Sequence, residues 1–205
     1  MSDAAFWDRL ARKYAKQPIG DMDAYETTME RTRQYLGADD SVLEIGCGTG
    51  LTALLLADAV ADYHGTDISP EMITIANEKL VDEPKPSVRF SVSDSLVSDE
   101  GRGTLDAVLG FNILHLVDET EATASRVRDL LKPGGYFISK TPCLGHKWYL
   151  RPLIAAMRLV GKAPFVRSFK TSELENLVTD AGFEIVETGH YPPKLPSLFI
   201  VARKI

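Results

Sequence analysis

The stretch VLEIGCGTG, Val42–Gly50, decides the fold of this chain. A short, mostly apolar run ends in glycines at alternate positions, and an apolar run follows from Leu51. This order predicts a buried strand, a sharp turn and a helix. Glycine lets the backbone turn sharply and lets a ligand approach without a Cβ in the way. Because open α/β sheets bind ligands where such strands end, the sequence predicts a ligand site at this loop.

Strands and helices alternate after this loop. Further strands are predicted at 63–66, 87–92, 105–111 and 136–140, separated by helices at 51–60, 70–80 and 120–131. Such alternation indicates right-handed β-α-β units and a parallel sheet. After a helix at 171–181, strands at 183–187 and 197–203 are joined by a loop too short for a crossover, so they should pair antiparallel. We expect an α/β fold: a Rossmann-like, seven-stranded, mostly parallel sheet with an antiparallel C-terminal hairpin and helices on both faces.

Two helices are predicted before the sheet, over residues 4–16 and 24–36. In the first, apolar residues recur at the spacing of one helix face: Trp7, Leu10, Ala11 and Tyr14. We expect residues 1–36 to form a helical cap that gates the site and can be removed without unfolding the rest. Residues 37–205 would form the main domain, with 141–170 inserted as a lid.

The composition is that of an ordinary globular chain, with 205 residues, 44% apolar and 25% charged. An excess of 29 acidic over 23 basic side chains, a net charge of −6, argues against nucleic-acid binding. No apolar run is long enough to cross a bilayer, and residues 1–14 lack the apolar centre of a signal peptide. Two distant cysteines favour a reducing compartment, so we expect a cytoplasmic protein. The cysteines and histidines are not at ligand spacing, and no metal site is expected.

The glycine spacing distinguishes between two classes of cofactor. Dinucleotide-binding loops have the spacing G-x-G-x-x-G, whereas Gly46–Gly50 has G-x-G-x-G. No basic residue lies between Val42 and Ala61 to balance a pyrophosphate, and Glu44 adds a negative charge that suits a cation. The loop therefore favours a cationic, phosphate-free ligand, with an NAD-dependent oxidoreductase as the less favoured alternative.

Five motifs of this chain resemble those of class I S-adenosylmethionine-dependent methyltransferases. Within that family, the chain resembles the members that act on small molecules, such as the ubiquinone and menaquinone C-methyltransferases. They follow in order over residues 40–140: VLEIGCGTG (Val42–Gly50), GTDISPEMI (Gly65–Ile73), VRFSVSDS (Val88–Ser95), LDAVLGFNILHLV (Leu105–Val117) and LLKPGGYFI (Leu130–Ile138). Each motif alone has modest specificity, and the five together are specific. The resemblance implies methyl transfer from S-adenosylmethionine, with S-adenosylhomocysteine as product, to a small, lipophilic or anionic acceptor. It leaves open the acceptor atom, the oligomeric state and a regulator that binds S-adenosylmethionine without catalysis.

The resemblance also implies the cofactor contacts. Asp67 ends the second strand, where a carboxylate can accept hydrogen bonds from both ribose hydroxyls. Ile68 and Met72 are expected to sandwich the adenine, since methionine adapts to aromatic faces. The other expected cofactor-binding residues are Glu44, Gly46, Cys47, Gly48, Gly50, Asp94, Ser95 and Asn112.

The acceptor side is predicted from three features. His115 is the candidate general base, and the alternative is that it packs or orients its loop. The expected substrate-binding residues are Trp7, Tyr14, Tyr25, Cys143 and Arg151. Seven basic residues and no acidic one lie from Lys140 to Lys170. This charge predicts a lid that selects the acceptor and rests peripherally on a membrane surface, and a merely solvated basic stripe is the alternative.

Overall fold

The computed structural model describes residues 3–93, 101–145, 156–158, 161, 163–193 and 197–205. The helices are α1 (Asp3–Tyr14), α2 (Met22–Arg33), α3 (Leu51–Leu56), α4 (Pro70–Asp82), α5 (Thr120–Leu130) and α6 (Thr171–Asp180), with 3-10 turns at Ala57–Ala59 and Leu114–Leu116. The strands are β1 (Ser41–Ile45), β2 (Asp62–Asp67), β3 (Val88–Val92), β4 (Leu105–Phe111), β5 (Leu131–Pro142), β6 (Phe183–His190) and β7 (Ser197–Lys204).

The seven strands form one sheet in the order β3-β2-β1-β4-β5-β7-β6. Strands β1 to β5 pair in parallel, and β7 runs antiparallel to both β5 and β6. The predicted fold is confirmed. Strand β5 is longer than predicted because Leu131 already pairs with Leu105 and the pairing with β7 continues to Pro142. The strand order reverses between β1 and β4, which opens a crevice at their carboxyl ends.

The register of the sheet aligns residues from four strands or strand ends along this carboxyl edge. Glu44 on β1 pairs with Gly65 on β2 and with Leu109 on β4. Two residues further along these three strands lie Gly46, Asp67 and Phe111, and Phe111 pairs with Lys140 on β5. Neighbouring strands are about 4.8 Å apart. Because three such spacings separate β2 from β5, Asp67 and Lys140 lie roughly 14 Å apart across the edge.

Both faces of the sheet are covered by helices. On one face, α5 and α6 bury a cluster that includes Val108, Phe137 and Leu174. On the other face, α2 and α3 contribute Met29 and Leu56 to a second cluster. Among the described residues, every helix is too short or too polar to span a bilayer.

Helix α2, which precedes the sheet, is anchored to the sheet by core packing and by hydrogen bonds. Met29 in α2 is only 2% exposed and packs in the core of the sheet. The Arg31 guanidinium donates to the Glu187 carboxylate of β6, and the Tyr35 hydroxyl donates to the same carboxylate at 2.7 Å. These contacts make α2 part of the cover on one face of the sheet and argue against its removal, while the expectation that residues 1–36 can be deleted without unfolding the rest stays a prediction.

Helix α1 lies against α4 and not on the sheet. Asp8 Oδ1 accepts hydrogen bonds from Ser69 Oγ at 2.6 Å and from the Glu71 amide at 3.1 Å. Arg12 pairs with Glu71 at 2.5 Å and with Glu78 at 2.6 Å. These contacts join α1 to the helix that directly follows Asp67.

The two methionines of α2 test whether this helix belongs to the core. Replacing the buried Met29 with Ala should lower the free energy of unfolding by about 2–5 kcal/mol, because the substitution leaves a cavity. Met22, at the start of the same helix, is 52% exposed, and Met22→Ala should change stability by less than about 0.5 kcal/mol. Urea unfolding measures both values, and equal effects would contradict the core position of α2.

Candidate active site

A cavity of about 800 Å³ opens at the carboxyl edge of β1, β2, β4 and β5. Its walls bring together most of the residues predicted from sequence: Trp7, Tyr14, Tyr25, Glu44, Gly46, Cys47, Gly48, Asp67, Ile68, Met72, Asn112 and His115. Two predicted residues, Gly50 and Cys143, are absent from these walls. Asp94, Ser95 and Arg151 lie outside the described residues, as do residues 146–155, 159–160 and 162 of the predicted lid.

The three loop glycines are needed for different reasons. All have positive φ, at 67° for Gly46, 54° for Gly48 and 76° for Gly50. A Cβ on Gly46 would lie 2.6 Å from the Ile113 side chain, and one on Gly50 would lie 2.7 Å from Phe90. A Cβ on Gly48 would meet no atom of the described residues within 4 Å. Gly48 therefore leaves space for a ligand, whereas Gly50 is needed for close packing against Phe90 and its cofactor contact stays a prediction.

Asp67 holds the glycine loop and the start of α4 together. Its Oδ2 accepts from the Gly48 amide at 2.9 Å, and its Oδ1 accepts from the Ser69 amide at 2.9 Å. Burial raises the pKa of this carboxyl group, against the hydrogen bonds from Ser69 and Gly48 that lower it. A carboxylate oxygen has two acceptor positions, so each oxygen can still accept from a ribose hydroxyl.

Glu44 is a buried carboxyl group at the floor of the cavity. It is 2% exposed, and the Tyr63 hydroxyl donates to its Oε2 at 2.9 Å. Burial raises the pKa of Glu44 to about 8, and the hydrogen bond from Tyr63 opposes the shift. The group is mostly neutral at pH 7, and a cationic ligand nearby would favour its ionised form.

Neither cysteine is placed to act as a nucleophile. The Cys47 thiol lines the cavity, but burial raises its pKa well above the ordinary value, so it stays protonated. Cys143 is 2% exposed and packs in the core cluster with Phe169 and Leu198. Its thiol lies 3.5 Å from the Thr141 carbonyl oxygen, and this core position does not favour the predicted contact with the substrate, which stays a prediction.

The segment after β4 places His115 and Asn112 on the cavity wall. Burial lowers the pKa of His115 to about 4, so the imidazole is neutral at pH 7. Its Nδ1 is buried and has no hydrogen-bond partner in the described part of the chain. Asn112 has a φ of 55°, and its backbone N–H donates to the Lys140 carbonyl oxygen at 2.8 Å. Non-glycine residues held in this conformation cluster at functional sites.

Aromatic residues of α1 and α2 form the wall that faces these groups. Trp7 and Tyr14 come from α1, and Tyr25 comes from α2. The Tyr25 hydroxyl lies 3.4 Å from Thr52 Oγ1. Burial raises the pKa of both tyrosines, so the wall presents neutral, largely apolar surface to the cavity.

Two lysines in the cavity were missed as site residues at the sequence level. Lys79 donates to Thr49 Oγ1 beside the glycine loop at 2.9 Å, and Lys140 donates to Thr28 Oγ1 at 3.0 Å. Lys140 was noted only as the first member of a basic run. Its position at the end of the fifth parallel strand is the signal that could have placed it at this edge.

The comparisons with known proteins identify the family. Residues 14–188 match the family described as a methyltransferase domain, and the chain belongs to it. Phosphoethanolamine N-methyltransferase 2 of Caenorhabditis elegans is 27% identical over 164 residues, 80% of this chain and 37% of that protein. Ubiquinone biosynthesis O-methyltransferase of Thiobacillus denitrificans is 27% identical over 181 residues, 83% of this chain and 75% of that protein.

A solved structure shares the fold. Geranyl diphosphate C-methyltransferase of Streptomyces coelicolor, in complex with S-adenosylhomocysteine, aligns with a TM-score of 0.73 and 14% identity, over 88% of this chain and 81% of that one. The predicted class and cofactor are confirmed for this domain: residues 14–188 form a class I S-adenosylmethionine-dependent methyltransferase domain. The site fits this cofactor, since Gly48 leaves space, Asp67 has free acceptor positions and Glu44 can balance a positive charge.

The raised pKa of Glu44 makes stability depend on pH. In the folded state the group keeps its proton up to pH 8, whereas the unfolded group loses it near pH 4.5. The stabilising contribution is thus complete below pH 4.5 and is lost as pH rises towards 8, by at most about 1.4 kcal/mol per pH unit. Glu44→Gln cannot ionise, so it should gain stability over the parent steadily from pH 5 to 8. Thermal melts of both proteins without cofactor measure this, and a constant difference would contradict the buried, neutral Glu44.

Proposed function

We propose that the protein transfers the methyl group of S-adenosylmethionine to a small molecule with an apolar body. The cavity carries this proposal, because it runs from the Asp67–Gly48 corner to the aromatic wall of Trp7, Tyr14 and Tyr25. The cofactor supplies a methyl group on a sulfonium, already activated for displacement. The names of the relatives, which include phosphoethanolamine and ubiquinone-biosynthesis methyltransferases, support a small-molecule acceptor.

Five residues of the cavity wall would hold the cofactor. Asp67 would accept the ribose hydroxyls, and Ile68 and Met72 would pack on the adenine. The backbone at Gly48 would approach the methionyl part, where no side chain intervenes. Glu44 would ionise and stabilise the positive charge of the bound cofactor. Methyl transfer needs alignment of nucleophile, methyl and sulfur more than covalent help, and an acceptor that fills the cavity would displace water from that line.

His115 would serve an acceptor that loses a proton. A neutral imidazole can take a proton from an attacking oxygen or nitrogen, whereas an imidazolium could not. Burial lowers the pKa of His115 to about 4, so the imidazole would be a weak base and would pass any proton it takes on to water. Because the imidazole is neutral, it also adds no repulsion against a cationic cofactor. An acceptor that loses no proton would leave His115 an orienting role.

A direct test combines binding and transfer. Calorimetry should show binding of S-adenosylmethionine and S-adenosylhomocysteine and no binding of NAD. Methyl-labelled S-adenosylmethionine, incubated with the protein and a small-molecule extract, should label a low-mass product that can be extracted into organic solvent. Binding of NAD in place of both adenosyl ligands would contradict the proposal. Tight cofactor binding with no labelled product in any extract would favour a regulator that senses the cofactor.

Asp67→Ala tests the assignment of the ribose contact. The variant should bind S-adenosylmethionine at least tenfold more weakly, about 1.4 kcal/mol, because it removes charged acceptors and the bond that holds Gly48. Asp8→Asn is the matched control, since Asp8 bonds Ser69 in the same segment but does not line the cavity. Asp8→Asn should change affinity less than threefold by calorimetry. Parent-like affinity in Asp67→Ala would mean that the ribose is held elsewhere.

A further inference from the structure

Lys140 places a cation at one end of the cavity, on strand β5. Within the described part of the chain, the Lys140 ammonium donates one hydrogen bond, to Thr28 Oγ1 at 3.0 Å. The Thr28 hydroxyl donates its own proton to the Ala24 carbonyl oxygen at 2.6 Å, so it can only accept from Lys140. An ammonium has three N–H donors, and two of them are left for the cavity.

No carboxylate among the described residues forms an ion pair with Lys140. The charged group that favours its ammonium is Asp21, whose Oδ1 instead accepts from the Ala24 amide at 2.9 Å and caps α2. Burial lowers the pKa of Lys140, which is the effect of a partly buried cation with too little compensating charge. An anion in the cavity would supply that charge.

Two other described members of the basic run, Arg158 and Arg167, are engaged elsewhere. Arg158 stacks on the ring of Phe165 at 5.0 Å. Arg167 forms two hydrogen bonds with the Glu121 carboxylate, at 2.6 and 2.8 Å. Neither arginine lines the cavity. Among the described basic residues of this run, Lys140 is the one that lines the cavity.

The position of Lys140 separates it from the cofactor groups. It lies three strand spacings, roughly 14 Å, from Asp67 along the carboxyl edge. Its neighbours on the cavity wall are Phe111, level with it on β4, and Met29 and Thr28 of α2. A cation among apolar side chains suits a molecule with an anionic group on an apolar body.

We propose that Lys140, held by Thr28, binds a carboxylate or phosphate group of the methyl acceptor. This inference rests on the proposed methyl transfer and adds the chemical class of the acceptor. The cofactor has a carboxylate of its own, which offers the same chemistry. The distance from Asp67 and the contact with α2 favour the acceptor as the source.

The test uses matched eight-carbon probes and the full chain saturated with S-adenosylhomocysteine. Octanoate and octyl phosphate carry the anion, and octanamide and octanol are their neutral counterparts. Calorimetry should show at least tenfold tighter binding of each anion than of its neutral counterpart. Lys140→Met should reduce this ratio to below threefold with affinity for S-adenosylhomocysteine unchanged, and Lys140→Arg should retain the ratio. Lys79→Met, which removes the other cavity lysine, should also retain it.

The outcomes separate the two proposals. Equal affinity of the parent for anionic and neutral probes overturns the inference. A Lys140→Met variant that keeps the anion preference also overturns it, as does one that loses only affinity for S-adenosylhomocysteine, since Lys140 would then hold the cofactor. If Lys140→Met does not fold, Thr28→Val must lower the ratio instead, because it removes the acceptor that orients Lys140. Failure of the parent to bind S-adenosylhomocysteine would overturn the proposed function itself.

Discussion

The Asp67 carboxylate is the contact on which the site depends. One oxygen holds the Gly48 amide of the loop after β1, and the other holds the Ser69 amide at the start of α4. The glycine loop has left-handed backbone at alternate positions, and few side-chain contacts are available to fix such a loop. A charged acceptor anchored at the end of the neighbouring strand supplies that restraint. The same group is therefore expected to shape the loop before it meets a ribose.

The sequence predicts the sheet well because its signals are local. Apolar runs that end in glycine or aspartate mark strand ends at Ile45 and Asp67, and Ser69 followed by Pro70 marks the start of α4. The alternation of elements then limits the connections to parallel units. The loop length between β6 and β7 is likewise enough to predict their antiparallel pairing.

The site was only partly predictable, because several roles depend on contacts between distant segments. Gly50 was assigned to the cofactor, and only the approach of Phe90 shows that it serves packing. Cys143 follows a strand that leads to the site, yet its side chain falls on the opposite, core side. Lys140 was hidden in a run of basic residues until the register placed it level with Asp67. Periodicity gives the face of an element, but not the partner that covers it.

The attachment of α1 to α4 bears on how a substrate reaches the site. Asp8 bonds the segment that carries Asp67, and Trp7 beside it forms part of the cavity wall. Moving α1 away would therefore uncover the aromatic wall and, in the same event, remove an acceptor from the N-terminus of α4. We therefore expect any entry of a bulky molecule past α1 to be coupled to the segment that carries Asp67. Since Arg12 and its carboxylate partners are largely exposed to solvent, we expect added salt to weaken the attachment of α1 to α4.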